Sequence, residues 1–249
     1  MNKSDAGALA AYNLRKDLAI DIKQPVNLDV VTERLSIRVT YRDLGAGIEG
    51  ACKSLGAKRL VVLKPNLESI QKERFTLAHE IGHLLIHHNS YLCKSDFFST
   101  YRTQNEKEQE ANDFAAERFL PQKAVANILG KHDLTFSLIQ KVADTYQTSI
   151  SVAAIRLMQL FQDDAVLLFH DGTRIIWKVR SDNCFQKISN TISDFALAHT
   201  TNMETRNAKG TIEALHWLDN DVEDLLCEEE THYFVRMHKY LTILKFYYN

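Results

Sequence analysis

Residues Arg74 to His88 read R-F-T-L-A-H-E-I-G-H-L-L-I-H-H, and inside them His79, Glu80 and His83 spell H-E-x-x-H. Phe75, Ala78, Ile81, Gly82, Leu85 and Ile86 recur at helical spacing with no proline among them, which predicts one helix with an apolar side. On such a helix two residues four apart lie about 40° round and about 6 Å along the axis. Both imidazoles can therefore lean to one Zn²⁺ at the roughly 2.0–2.1 Å of zinc–nitrogen bonds. Glu80 stands about 100° from His79, outside comfortable ligand range but able to hold a water on the metal. That is where a metallopeptidase keeps its general base.

Two histidines and a base are incomplete, because a catalytic zinc takes three protein ligands and one open position. His87 lies about 12 Å along the axis from His79 and cannot share the ion on a straight helix. It is expected beside the site, at the surface or as a cap. A metzincin would need Gly and His where this chain has Ile86 and Asn89, so that class is excluded. The third ligand must come from another helix. Glu106 to Leu120 supplies one, E-K-E-Q-E-A-N-D-F-A-A-E-R-F-L, with Asn105 as its cap and Pro121 as its stop. Ala111, Phe114, Ala115 and Phe119 form its core side, and Glu106, Glu110, Asp113 and Glu117 an acidic stripe. A hard carboxylate oxygen suits the remaining zinc position. Spacing does not choose between Glu106 and Glu110, but Glu110 adjoins Ala111 and precedes Phe114 by one turn, which favours it.

R-F-T-L-A-H-E-I-G-H-L-L followed by E-A-N-D-F-A-A-E-R-F-L-P, with K-P-N upstream, resembles the ImmA/IrrE family of zinc metallopeptidases. The likeness covers about residues 8–162 and is densest from 60 to 121. It implies a zincin-like domain, zinc held by His79, His83 and the E-A-N glutamate Glu110, and Glu80 as catalytic base. It also implies an intracellular endopeptidase that cleaves a helix-turn-helix repressor, relieving repression of stress-response or mobile-element genes. The competing reading is a zinc-containing regulatory module that binds a repressor or DNA without cutting.

Composition narrows the classes further. The 249 residues make one large domain or two small ones, with 30 basic against 32 acidic side chains. Nothing in that balance calls for nucleic acid or an acidic membrane. The N-terminal stretch is broken by Asn13 and Arg15 and reads poorly as a signal peptide, and no run reaches the roughly 18 apolar residues of a membrane span. Cys52, Cys93, Cys184 and Cys227 are scattered without C-x-x-C, as reduced thiols of a cytoplasmic protein are.

The expected architecture is α+β. A metallopeptidase domain (1–128) carries a small antiparallel sheet and the active-site helices. A helix-turn-helix-like pair (129–162) and a smaller C-terminal α+β domain (163–249), sensory or substrate-docking, follow. Upstream of the metal helix, residues 4–18 and Leu28 to Arg34 read as helices, and Leu35 to Tyr41, Ile48 to Lys53 and Arg59 to Leu63 as strands. Asn89 to Asn105 lacks periodicity and carries Tyr91, Phe97, Phe98 and Tyr101, which reads either as the wall of a substrate cleft or as an ordinary surface loop pinned by its aromatics. Phe136 to Tyr146 and Val152 to Phe161 form the helical pair, with Ser151 as a cap. Lys131, Lys141 and Arg156 against Asp133 and Asp144 are too little positive charge for phosphate contact, so direct DNA binding is disfavoured. Beyond Asp164, D-G at Asp171 and Gly172 signals a hairpin. Gln186 to His199 reads as a helix, Thr211 to Leu218 and His232 to Tyr247 as strands, and Glu228 to Glu230 as a solvated acidic run.

Overall fold

The computed structural model describes residues 5–88, 91–94, 105–190, 192, 207–219 and 224–248. The chain divides into two compact units, residues 1–124 with 143–152 and residues 125–142 with 153–249.

In the first unit, helices α1 (Asp5–Asp17) and α2 (Leu28–Arg34) precede strands β1 (Ile37–Tyr41), β2 (Ile48–Leu55) and β3 (Lys58–Leu63). Helix α3 (Ile70–Ile86), the short strand β4 (Tyr91–Lys94) and helix α4 (Glu106–Phe119) follow. Helix starts obey local chemistry: the side chains of Asn27, Ser69 and Asn105 accept the backbone N–H groups of Asp29, Lys72 and Lys107. Gly56, at φ 61°, closes the β2–β3 hairpin. The sheet runs β1-β3-β2-β4 and is antiparallel through β3, β2 and β4. β1 joins β3 in parallel, where an antiparallel partner was expected. With β2 on one edge of β3, only the other edge is open, and the chain before β2 is long enough to deliver β1 there.

The core of this unit joins Ala11, Val31, Val61, Leu63, Ala78, Ile81, Leu84, Phe114 and Phe119. Each buried Ile, Leu or Phe contributes about 1.5–3 kcal/mol. Glycines let the helices approach closely. A Cβ at Gly7 would lie 2.1 Å from the Glu110 carbonyl oxygen, and one at Gly82 would lie 3.1 Å from the Phe114 ring.

Three short helices come next, α5 (Gln122–Leu129), α6 (Phe136–Tyr146) and α7 (Ile150–Leu160). The last two are the expected pair, except that α7 starts two residues early. The Ser149 hydroxyl, and not that of Ser151, accepts the Val152 N–H at 3.2 Å.

The second unit holds an antiparallel sheet in the order β6-β5-β9-β8-β7. Its strands are β5 (Ala165–His170), β6 (Ile175–Arg180), β7 (Ala208–Glu213), β8 (Leu225–Phe234) and β9 (Lys239–Tyr248). The β5–β6 turn is the expected one: Asp171 Oδ1 accepts from the N–H groups of Thr173 and Arg174, and Gly172 has φ 97°. Thr211 to Leu218 is a strand only to Glu213, giving way to a 3₁₀ turn at Ala214–His216. The tail from His232 to Tyr247 is broken by a turn through His238, at φ 51°, into the end of β8 and all of β9. Residues 186–190 are not helical, and most of the remaining helix expected to His199 lies outside the described residues. Residues 95–104 of the expected cleft wall also lie outside them, while Tyr91–Lys94 is a strand.

The acidic run is not uniformly solvated. Strand alternation turns Glu228 and Glu230 outward, each 3.9 Å from the Lys209 ammonium, and Glu229 inward, where it is 2 % exposed. Its carboxylate accepts from Trp217 Nε1 at 3.0 Å and the Thr231 hydroxyl at 2.8 Å, and a hydrogen-bonded line continues through Thr242 to His170. No helix among the described residues is long and apolar enough to cross a membrane.

Candidate metal centre

Helix α3 does what its spacing requires. His79 and His83 lie one turn apart, fully buried, with their Nε2 atoms 3.0 Å from each other. The carboxylate facing them belongs to Glu108, on α4. Its Oε2 is 3.1 Å from His79 Nε2 and 3.5 Å from His83 Nε2. His79, His83 and Glu108 are the metal-competent group among the described residues.

Glu110, the expected third ligand, is not in that group: its Oε2 meets His87 Nε2 at 2.7 Å instead. The reason is rotational. Two residues apart on a helix are about 200° apart, so Glu108 and Glu110 cannot face the same point. Glu106, the alternative, is exposed. Glu108 precedes Ala111, Asn112 and Ala115 by three, four and seven residues, and all four are buried on the side facing α3. That spacing marks Glu108 as lying on a buried side of α4, but not which neighbour that side meets. The acidic stripe of Glu106, Glu110, Asp113 and Glu117 lies on a wetter side of the helix.

The donor set fits a zinc ion. Tetrahedral zinc with bonds of about 2.0–2.1 Å keeps its ligand atoms about 3.3 Å apart, close to the separations here. The other ring nitrogens are already engaged, His79 Nδ1 with Asn112 Oδ1 at 2.9 Å and His83 Nδ1 with His87 Nδ1 at 3.0 Å. Both Nε2 atoms are thus left for the centre. Burial alone would lift the Glu108 carboxyl, but hydrogen bonds and charge from His79 and His83 outweigh it and hold it at about 2. His79, His83 and Glu108 form a zinc site of the H-E-x-x-H type.

Glu80 is fully buried beside this site, against strand β2. A Cβ on Gly50 would lie 2.4 Å from Glu80 Oε1 and 2.8 Å from Thr76 Cγ2, so glycine there makes room for the carboxylate. Cys52 lies two residues on, on the same side of β2, and burial and the nearby Glu80 charge push its thiol far above the ordinary range. The Tyr91 ring of β4 stacks on His83 with centroids 4.2 Å apart. His87 is the C-cap residue of α3, and burial pushes its imidazole down despite the Glu110 carboxylate.

The profile of the IrrE N-terminal-like domain matches residues 32–158. A search of curated proteins finds no match. Among solved structures, a Mycobacterium tuberculosis transcriptional regulator superposes with a TM-score of 0.56 at 10% identity, over 97% of this chain and 76% of that one. At that identity the likeness is one of fold.

Proposed function

The chain belongs to the peptidase family defined by the IrrE N-terminal-like domain, and from that we propose that it is an intracellular zinc endopeptidase that cuts a helix-turn-helix transcriptional repressor. Zinc metallopeptidase chemistry follows from family and site together; the repressor as substrate, the release of repression and the cytoplasmic location are our reading. One observation carries the hydrolytic part: three metal-competent side chains from two helices converge, with a buried glutamate next to the first of them.

When bound, zinc supplies an acidified water and a Lewis acid for the scissile carbonyl. The chain's own residues supply the rest. Asn112 holds the ligand imidazole of His79 in one tautomer. Glu80, kept dry beside Gly50 and Cys52, takes a proton from the attacking water and returns it to the leaving amine. The far edge of β2 is already paired to β4, so an extended substrate would add its backbone hydrogen bonds along β4. The helical pair α6–α7 is suited by its sparse charge to docking a protein and not DNA.

The test expresses the wild type and Glu80→Gln in the source cells and maps new protein N-termini. Zinc content should be equal in the two. New termini inside a helix-turn-helix repressor should occur with the wild type and vanish with Glu80→Gln. If repressor release survives in Glu80→Gln, the chain is a non-cleaving regulatory module. If new termini fall across unrelated proteins, it is a broad protease.

A further inference from the structure

Two residues of the site region are left without a role by the hydrolytic reading, His87 and Glu110. Their geometry fixes an order of protons. The Glu110 carboxylate can only accept, so the 2.7 Å contact to His87 Nε2 places a proton on that nitrogen. Neutral His87 then presents a lone pair at Nδ1. The 3.0 Å contact between His87 Nδ1 and His83 Nδ1 must therefore be filled by the His83 proton. His83 is left with its lone pair on Nε2, the atom that faces His79 and Glu108. The opposite tautomer would turn a proton toward the metal position.

The ring planes are held as well. Tyr91 lies parallel to His83 at an interplanar angle of 16° and is 5.4 Å from His87. The same helix, α4, thus serves both ligand histidines, Asn112 for His79 directly and Glu110 for His83 through one intermediary.

We propose that His87 and Glu110 are positioning residues of the metal centre, a carboxylate–imidazole relay that fixes the tautomer and orientation of the ligand His83. The proposal rests on the zinc site described above but not on cleavage of any substrate. Its tests are accordingly metal and nitrogen measurements.

Zinc dissociation constants from competition with a chromophoric chelator should rise about 10- to 100-fold in His87→Ala and in Glu110→Ala. The double variant should be no weaker than His87→Ala alone, because Glu110 acts only through His87. Glu110→Gln, whose amide oxygen still accepts, should stay within a few-fold of wild type. Visible bands of the Co²⁺-loaded protein should keep their positions in Glu110→Gln but not in Glu108→Gln. In wild type loaded with zinc, imidazole ¹⁵N shifts should report His87 protonated at Nε2 only, and Glu110→Ala should mix its tautomers.

Affinities within twofold of wild type in both single variants would overturn the relay, as would losses that multiply in the double variant or His87 protonated at Nδ1. Altered Co²⁺ bands in Glu110→Gln would instead make Glu110 a direct ligand. A wild type that takes up no zinc would sink both the relay and the site. A wild type that binds zinc and follows the affinity pattern, yet cuts nothing, would uphold the relay and sink the peptidase reading.

Discussion

Arg118 is fully buried, and among the described residues none of its guanidinium nitrogens has a hydrogen-bond partner. The Phe114 ring, 5.9 Å away, offers only a distant π face. Burial, and then the charge of Arg15, push Arg118 down to about 9, still protonated at neutral pH. An unpaired buried cation destabilises the native state, and apolar replacements of buried charges commonly add about 1–4 kcal/mol. Arg118→Met conserves most of the side chain's length. It should stabilise the protein by that order, seen as a higher denaturation midpoint at unchanged slope. A loss of stability would mean that the guanidinium is not an uncompensated charge in the folded protein.

Between elements, β2 approaches α3 closely at the site, where Gly50 faces Glu80 and Thr76. The ligand pair His79 and His83 was legible because one helix turn relates them, and a helix's own periodicity needs no tertiary information. Gly50 was not: nothing local marks it as the floor under Glu80. Gly50→Ala would put a methyl 2.4 Å from Glu80 Oε1, and that carboxylate, at the end of a flexible side chain, must yield. The fold and zinc content should persist, since His79, His83 and Glu108 are untouched. Turnover should fall on the order of 100-fold, the usual effect of a roughly 1 Å displacement of a catalytic group. Unchanged turnover at full zinc content would argue that Glu80 is not the base.

For the molecule as a whole, the second unit carries an opposed pair of titrations inside one hydrogen-bonded line. Burial raises Glu229 from 4.5 to about 7, against the pull of Thr231 and Trp217, and lowers His170 from 6.5 to about 4. Glu229, with its raised pKa, contributes stability that is full below pH 4.5 and lost as pH rises through about 7. His170, with its lowered pKa, contributes stability that is full above pH 6.5 and lost as pH falls through about 4. The two slopes oppose each other where the windows overlap. Glu229→Gln removes one of them. The stability difference between variant and wild type, from denaturation at a series of pH values, should be flat in acid, grow in the variant's favour from pH 4.5 to about 7, and level off above. A difference independent of pH would place the Glu229 carboxyl in water.

What the chain alone determined is what repeats within an element. The H-E-x-x-H face of α3, the cap at Asn105, the Asp171–Gly172 turn and the α+β class depend on contacts a few residues apart. The third ligand did not yield to that reading. Whether Glu108 or Glu110 meets His79 and His83 depends on how α4 is rotated about its own axis against α3. That rotation is set where Gly82 of α3 admits the Phe114 ring of α4 and where Gly7 of α1 admits the α4 backbone at Glu110 and Phe114. The inward turn of Glu229 and the parallel pairing of β1 were likewise decided by neighbours distant in sequence, because strand face and strand partner are properties of the assembled sheet.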